Sequence, residues 1–320
     1  MSGRLSQLGE FGLIQKITSR LKIHDPNVIL GPGDDCAVVR PTKTPILLST
    51  DMLVEGVHFR LSRFNRRQWI GWKDLGLKAI RVNISDIAAM GGTPLYFLVA
   101  LGLPKNFKTT AVEQLTLGMK KGAEEVDASI VGGNLSRSRQ VIISVAVFGV
   151  ALEKRFLLRS GARVGDFIYV TGTLGKSALA LAAGRHLVPP LRLKVGQSLA
   201  RMDSVHSLID ISDGLAGDLE HVLKASGVGA EVYVERIPMP KGAKLGGGED
   251  YELLFTASPR VKLPKKIHGV LVTRIGKITG RGGGLASSTS RGERRAAGSG
   301  LKLLDARGRQ IKGINAFRHF

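Results

Sequence analysis

The sequence predicts a two-domain protein of the α/β class, in which each domain packs helices on a β-sheet. Its 320 residues exceed the roughly 250 residues at which a single hydrophobic core usually stops growing. Strand-like and helix-like segments alternate in the first half of the chain, and the alternation begins again after a turn-rich connector at 159–166. We therefore expect an N-terminal domain over residues 1–151 and a C-terminal domain over residues 152–320.

The N-terminal domain is predicted to contain strands and two helices. The strands are β-branched apolar runs bounded by Gly, Asp or Ser, at 46–50, 127–132 and 141–150. Residues 69–90 place apolar side chains at helical spacing, and Gly91, Gly92 and Pro94 end the helix. A second helix is expected near 110–126.

The C-terminal domain repeats this pattern. Strands are expected at 166–172, 207–212 and 230–238, and helices at 176–184 and 213–227. Gly227 is expected to end the second of these helices. Residues 280–300 are rich in Gly, Ser and Arg, which is typical of a loop or a hairpin tip.

Composition excludes several classes of protein. No run of about 18 apolar residues is present, so no membrane-spanning helix is expected. The N-terminal segment lacks the pattern of a secretory signal. Cys36 is the only cysteine, which rules out an intrachain disulfide and fits a reducing cytoplasm.

The net charge of +21 is concentrated near the C-terminus. Residues 259–320 contain fifteen Lys and Arg against two acidic residues, Glu293 and Asp305. Such a stretch can bind nucleic acid through phosphate contacts. However, it shows neither interleaved aromatic residues nor a nucleic-acid-binding motif. Nucleic-acid binding is therefore kept as an alternative, and small anionic ligands explain the charge equally well.

One motif at the start of the second domain resembles a phosphate-binding P-loop. Gly175, Lys176 and Ser177 lie between a predicted strand and a predicted helix. The motif also needs a glycine five residues before Gly175, and Val170 occupies that position. We interpret the segment as an ordinary helix N-terminus.

Carboxylate and amide oxygens follow apolar segments at five places in the chain. These segments are GPGDD (31–35), STDMLVEGVHF (49–59), NISDIAAMGG (83–92), GGNLS (132–136) and DISDG (210–214). Because side chains alternate along a strand, Ser49 and Asp51 share one face, and so do Asp210 and Ser212. Asp35 is equally compatible with a surface turn, and Asp213 is expected to be a helix N-cap.

Asp86 is the most informative of these carboxylates. It lies four residues before Met90, near the negative end of the helix dipole, which disfavours an anion. Asn83, on the same face, is neutral and cannot compensate the charge. Several oxygen ligands that converge from loops suit Mg²⁺, which binds one or two carboxylates together with waters and substrate phosphates.

Eight motifs, taken in order, resemble those of the thiamine-monophosphate kinase family, within the aminoimidazole-ribonucleotide-synthetase-like (PurM-like) superfamily. They are LGEFGLI, GPGDD, STDMLVEGVHF, NISDIAAMGGTP, IVGGN, LRSGARVGD, DISDGL and GGEDYELLF, followed by AFRHF at the C-terminus. The resemblance implies a two-domain fold whose N-terminal sheet forms a homodimer. It also implies transfer of the γ-phosphoryl group of ATP to thiamine monophosphate, giving thiamine diphosphate and ADP, with several Mg²⁺ ions.

The resemblance also implies a set of site residues. The implied metal ligands are Asp34, Ser49, Thr50, Asp51, Asp86, Asn134, Asp210 and Asp213. Gly133, Asn134, Arg159 and Ser212 are implied to contact ATP, and His58, Glu249 and Phe317 to contact the substrate. Asp51, Asp86, Asp210 and Arg159 are expected to carry catalysis, because phosphoryl transfer needs positioning and charge neutralisation rather than a covalent catalyst.

Three features depart from the family pattern. Asn134 replaces an Asp of many relatives, the stretch from Pro240 to Gly246 is short, and residues 280–300 have no recognised counterpart.

Two alternative functions stay open: another ATP-using activity of the superfamily, and nucleic-acid binding. Selenophosphate-forming members of the superfamily would show a Cys near a Lys before position 36, and this chain has none there. Amidine-forming members lack the EGVHF and GGEDYELL pair. A nucleic-acid-binding protein would show an affinity that falls steeply with salt.

Overall fold

The structure, a computed structural model, contains two β-sheets with helices packed on them. It describes residues 28–30, 37–39, 44–60, 69–153, 155–243, 245–280 and 300–311. Two predicted site residues, Asp34 and Phe317, lie outside these ranges, as do residues 281–299 of the predicted loop.

The first sheet contains six described strands in the order β1-β2-β3-β6-β4-β5. Their bounds are β1 Val28–Leu30, β2 Ala37–Val39, β3 Ile46–Val54, β4 Thr93–Leu103, β5 Ser129–Arg137 and β6 Ile142–Val150. Neighbouring strands are antiparallel, except that β4 and β5 run parallel. The middle of this sheet is therefore β6, which lies between β3 and β4.

Helices α1 (Trp72–Ala89) and α2 (Thr109–Glu124) cover the inner face of the first sheet. Strand β6 alternates buried and half-buried residues, and Ile143, Val145 and Val147 point into the core. Helix α1 ends at Met90, and Gly91 follows with φ 69°. Glycine suits this left-handed position because it has no Cβ.

The second sheet is formed by the second half of the chain. Its strands are β7 Phe167–Thr171, β8 Val205–Asp210, β9 Gly229–Tyr233, β10 Leu253–Ala257, β11 Lys266–Ile267, β12 Val270–Thr279, β13 Leu301–Leu304 and β14 Gln310–Ile311. The order is β14-β13-β9-β12-β7-β10-β8, with β11 paired to β12. The helices are α3 Lys176–Ala182, α4 Leu193–Ala200 and α5 Leu215–Ser226. Among the described pairs, only β9 and β13 are parallel.

Both faces of the second sheet are covered, which explains why β10 is buried along its whole length. Leu254 belongs to the cluster that includes Leu219 of α5. Phe255, the next residue, belongs to the cluster that includes Leu199 of α4 and Ala89 of α1. Since successive residues of a strand point to opposite faces, β10 connects the two cores. The cluster that contains Phe255 also joins the two halves of the molecule, because it includes Ala89 of the first half.

The structure confirms most of the predicted elements, adds strand β4 and helix α4, which were not predicted, and corrects the role of one residue. Helix α1 covers the predicted helix at 69–90 apart from its ends, and Gly227 ends α5 with φ 70°. The predicted N-cap role of Asp213 is wrong, because Gly214 occupies the N-cap and no side chain caps α5. Instead, the backbone N–H of Asp213 donates to Asp218 at 3.1 Å. None of the helices in the described ranges combines the length and the apolar character that a bilayer crossing requires.

Two glycines set the distance between α1 and α2. A Cβ on Gly76 of α1 would lie 2.0 Å from the Leu115 carbonyl oxygen of α2. A Cβ on Gly118 of α2 would lie 1.8 Å from the Lys73 carbonyl oxygen of α1. The two helix backbones are therefore in direct contact, and this contact holds α1 in place against the sheet.

Replacing Gly118 by Ala is expected to destabilise the protein by about 3 kcal/mol, because the obstacle is backbone and cannot rotate away. The matched control is Gly71→Ala, where the nearest atom to the new Cβ is 3.6 Å away. Urea unfolding of both variants measures the difference. Equal stabilities of the two variants would show that the helices separate at little cost.

Candidate active site

Helix α1 and strand β3 place the first two carboxylates of the site. Ser49 and Asp51 share the inner face of β3, and the Ser49 hydroxyl donates to Asp86 Oδ2 at 2.6 Å. Asp86 lies in the last turn of α1, and that turn contains no basic residue. The helix dipole therefore opposes the charge of Asp86, and hydroxyl donors such as Ser49 offset part of this cost.

The neighbouring residue on α1 reaches into the second half of the chain. Ser85 Oγ donates to Asp210 Oδ2 at 2.6 Å. Asp210 ends strand β8 and is 3% exposed. Ser85 and Asp86 thus connect α1 with β8 and β3, respectively, so the two sheets contribute carboxylates to one region.

The pKa of Tyr251 reflects the negative charge of this region. Its side chain is buried, and its pKa is raised well above 10 by burial and by the negative charges of Asp51, Glu249, Asp210 and Asp86. The phenol is therefore protonated at neutral pH, and the four carboxylates that raise its pKa come from four parts of the chain: β3, α1, β8 and the segment around Glu249. We call Asp51, Asp86 and Asp210 the acidic triad.

A buried ion pair lies beside the acidic triad. Lys78 of α1 is fully buried, and its Nζ lies 2.7 Å from Glu249 Oε1 and 3.3 Å from the His58 carbonyl oxygen. The backbone N–H of Glu249 donates to the Ser212 carbonyl at 2.6 Å. The sequence analysis missed Lys78, although its seven-residue spacing from Ser85 indicates the same buried face of α1.

His58 has a defined orientation on the turn that follows β3. The backbone N–H of Val54 donates to His58 Nδ1 at 3.1 Å. In the neutral imidazole the proton is therefore on Nε2. The backbone of His58 adjoins the Lys78–Glu249 pair, because Lys78 contacts the His58 carbonyl.

Two further acidic residues lie in the segment Gly247–Glu252, which we call the GGED segment, and bind neighbouring parts of the second half of the chain. The Asp250 carboxylate accepts hydrogen bonds from the backbone N–H groups of Gly175 at 2.6 Å and Ser177 at 3.4 Å. A carboxylate thus already occupies the helix N-terminus of the P-loop-like segment, in agreement with its interpretation as an ordinary helix start. Glu252 pairs with Arg192 through two bonds of 2.5 and 2.6 Å.

Three predicted site residues are not brought to the acidic triad. Thr50 is exposed on the outer face of β3, and its hydroxyl donates to the Val145 carbonyl at 3.0 Å. Register pairs Asp51 with Val145, Val145 with Val99, and Val99 with Gly133. Gly133 is thus three strand spacings, about 14 Å, from Asp51.

Asn134 lies on the opposite face of the sheet from Asp51. It is paired with Ala100, which shares the outer face with the exposed Leu98. Its side chain therefore does not join Asp51 within one chain. The motif around Asn134 predicts an oxygen ligand, but it does not determine which face of the sheet the side chain lies on.

Two predicted nucleotide contacts, Arg159 and Ser212, and the predicted metal ligand Asp213 lie in the second half of the chain. Arg159 is half-buried on the segment before β7, and its carbonyl accepts a hydrogen bond from Ser226 at 3.3 Å. This segment runs beside β8, because the backbone N–H of Leu208 donates to the Leu158 carbonyl at 2.9 Å. Ser212 and Asp213 follow β8 directly and are half-buried.

The donor set of the acidic triad suits a magnesium ion. In the described ranges, no three or more Asp, Glu, His or Cys side chains are arranged to hold a metal ion by themselves. Mg²⁺ does not require such a group, since it binds one or two carboxylates and completes its shell with water and phosphate oxygens. Carboxylates and serine hydroxyls are hard oxygen donors, so the residues present fit the ion.

Two family models match the chain, one for each half. The N-terminal domain of AIR synthase related proteins matches residues 33–151, and the C-terminal domain of these proteins matches residues 163–263. Together the two models cover most of the chain.

Several known proteins are similar over nearly their full length. The thiamine-monophosphate kinase of Aquifex aeolicus is 38% identical over 283 residues, which are 79% of this chain and 87% of the relative. That of Escherichia coli K12 is 36% identical over 300 residues, 84% of this chain and 87% of the relative. A solved structure of AaThiL complexed with AMPPCP and TMP superposes with a TM-score of 0.79 at 32% identity and covers all of both chains.

Asp250 gives a prediction for the pH dependence of stability. Burial raises its pKa from 3.8 to about 6 in the folded protein. The folded state therefore binds the proton more tightly than the unfolded chain, so the stabilising contribution is complete below pH 3.8 and is lost as pH rises through about 6. Asp250→Asn should remove this loss.

We expect the free energy of unfolding of Asp250→Asn, relative to the unchanged protein, to rise by about 2 kcal/mol between pH 4 and pH 7. Urea unfolding across this range measures it, and other titrating groups cancel in the difference. Parallel stability curves would show that Asp250 ionises normally.

Proposed function

This chain belongs to the thiamine-monophosphate kinases of the AIR synthase related family, and from that premise we propose that the region around the acidic triad transfers the γ-phosphoryl group of ATP to thiamine monophosphate. The observation that carries the proposal is that α1 joins carboxylates of both sheets, since Ser49 of β3 donates to Asp86 and Ser85 donates to Asp210 of β8. Such a region repels polyanionic substrates unless cations bind with them. A phosphoryl transferase that uses Mg²⁺ meets this condition.

The acidic triad would hold the magnesium, together with the Ser49 hydroxyl. Asp34 and Asp213 are proposed as further ligands, from the resemblance of their motifs. A bound Mg²⁺ supplies positive charge that reduces the repulsion between the two phosphate groups. Ser49 and Ser85 are positioning residues, because their hydroxyls hold Asp86 and Asp210 at 2.6 Å.

The substrates are proposed to approach from two sides of the acidic triad. Arg159 and Ser212 would contact ATP, and the Arg159 guanidinium would stabilise the charge that develops during transfer. His58 and Glu249 would contact thiamine monophosphate, with Phe317 as a third contact from the resemblance. Lys78 keeps the Glu249 side chain in place through their 2.7 Å ion pair.

Transfer is proposed to occur in one step. A phosphate oxygen of thiamine monophosphate forms a bond to the γ-phosphorus, the bond from this phosphorus to the β–γ bridging oxygen breaks, and ADP leaves with the electron pair. The acceptor oxygen is already anionic, so no strong general base is required. Asp51, as a metal ligand, would be a poor nucleophile.

We propose that the protein acts as a cytoplasmic homodimer with domain boundaries at 151 and 152. Exposed apolar side chains on the outer face of the first sheet support the dimer, among them Met52, Tyr96 and Leu98, which are 51%, 50% and 38% exposed. An apolar sheet face of this kind is typical of a surface that a second subunit covers. The first domain would then provide both the dimer contact and the ligands on β3 and α1.

The proposed function is tested by coupled measurement of ADP release. Thiamine monophosphate should support turnover with ATP and Mg²⁺, whereas unphosphorylated thiamine should not, because it lacks the acceptor phosphate. Turnover with thiamine alone, or none with thiamine monophosphate, would contradict the assignment.

Asp86→Asn is expected to lower kcat at least about 100-fold, because one charge that holds the metal is lost. The variant should unfold at the same or a higher temperature, since the carboxylate opposes the α1 dipole. Asp74→Asn is the matched control, because Asp74 lies exposed in the first turn of the same helix. Normal kcat of Asp86→Asn at ordinary Mg²⁺ would remove Asp86 from the site.

The stereochemistry of transfer tests the one-step mechanism. With ATP made chiral at the γ-phosphorus, one in-line displacement inverts the configuration. Net retention, or a labelled phosphoenzyme isolated without thiamine monophosphate, would contradict it and would make His58 a candidate nucleophile.

A further inference from the structure

His186 carries an imidazole whose hydrogen-bonding groups are buried but not used. It lies between α3 and α4, and neither Nδ1 nor Nε2 has a hydrogen-bond partner in the part of the chain that the structure describes. Buried polar side-chain atoms are nearly always paired, since leaving one unpaired costs free energy. Both nitrogens of the His186 imidazole are therefore available to hydrogen-bond a bound molecule.

The indole ring of Trp69 packs beside this imidazole. The rings of His186 and Trp69 lie 5.8 Å apart between centroids and are tilted by 40°. The backbone N–H of His186 donates to the Trp69 carbonyl at 2.9 Å, which fixes the two residues relative to each other. The Arg60 guanidinium lies 5.2 Å from the Trp69 ring centroid. We call His186 and Trp69 the aromatic wall.

The aromatic wall adjoins the Lys78–Glu249 pair. Burial lowers the pKa of His186, and the positive charge of Lys78 lowers it further, against the opposing effect of Glu249. Arg60 also lowers it. The charges of Lys78 and Glu249 thus reach the ring, and the imidazole is neutral at pH 7, with one donor and one acceptor.

The order of these groups defines a direction through the site. The backbone N–H of Glu249 donates to the Ser212 carbonyl at 2.6 Å, two residues after Asp210. The Glu249 carbonyl accepts a hydrogen bond of 2.6 Å from Ser177, at the start of the helix that precedes His186. Glu249 therefore lies between the acidic triad and the segment that carries His186. With the substrate phosphate at the acidic triad, the opposite end of the substrate would extend past Glu249 toward His186.

The opposite end of thiamine monophosphate is a 4-aminopyrimidine ring. Its amino group donates hydrogen bonds, its ring nitrogens accept them, and its faces are aromatic. A neutral imidazole can accept from the amino group or donate to a ring nitrogen, and an indole can pack on the ring. We propose that His186 and Trp69 form the subsite for the aminopyrimidine ring, an inference that rests on the proposed function.

The test compares two variants of His186 with a matched control. His186→Leu removes both hydrogen-bonding groups, whereas His186→Gln keeps one donor and one acceptor. His268→Leu makes the same change at an exposed turn, where the imidazole bonds to Ser198 at 2.8 Å. Each protein is assayed with thiamine monophosphate and with oxythiamine monophosphate, in which a carbonyl replaces the amino group.

We expect His186→Leu to raise the KM for thiamine monophosphate about 10- to 100-fold, because a buried hydrogen bond to the ring is lost. The KM for ATP should stay within about twofold, and His268→Leu should behave as the unchanged protein. The unchanged protein should prefer thiamine monophosphate to the oxythiamine analogue, and His186→Leu should lose most of this preference. His186→Gln should recover part of it.

An unchanged KM for thiamine monophosphate in His186→Leu, or an undiminished preference between the two analogues, would overturn the inference. Equal losses for ATP and thiamine monophosphate would overturn it as well, since they indicate a general structural defect. If His186→Leu does not fold, calorimetric binding of thiamine monophosphate and of oxythiamine monophosphate to His186→Ala decides: a preference equal to that of the unchanged protein rejects the subsite. Absence of turnover in the unchanged protein would instead reject the proposed function.

Discussion

The buried ion pair between Lys78 and Glu249 is the interaction on which the site depends. Lys78 belongs to the helix that covers the first sheet, and Glu249 to a segment of the second half. Burying an ammonium group costs several kcal/mol, and a single carboxylate partner offsets this cost only with good geometry. The pair therefore requires that α1 and the GGED segment keep a fixed distance. The contact of Gly76 and Gly118 between α1 and α2 meets this requirement on one side.

Negative charge dominates the rest of the region. The last turn of α1 contains no basic residue, and Ser49 and Ser85 donate to Asp86 and Asp210, respectively. The α1 dipole opposes the charge of Asp86, so this position favours function over the stability of the helix. The same negative charge attracts the cations that phosphoryl transfer needs.

Local patterns in the sequence predicted the helices, several strands and the faces of Ser49 and Asp51, since these depend on periodicity within one element. They could not predict which elements meet. Strand β4 was missed because it follows a glycine pair and includes Pro94. His186 was missed because nothing nearby in the sequence marks an imidazole as unpaired. The face of Asn134 depends on how β5 pairs with β4, which is a property of register between strands.

The GGED segment shows how a short sequence can direct three acidic side chains to three different partners. Glu249 and Tyr251 have left-handed backbones, with φ 64° and 49°, and such conformations cost non-glycine residues about 1 kcal/mol or more. In a regular strand, alternate side chains would share a face, so Glu249 and Tyr251 would point the same way as each other, and Asp250 as Glu252. The two left-handed residues instead allow Glu249 to reach Lys78, Asp250 to reach the start of α3, and Glu252 to reach Arg192. The strain is therefore the condition for joining three structural elements at one edge of the site.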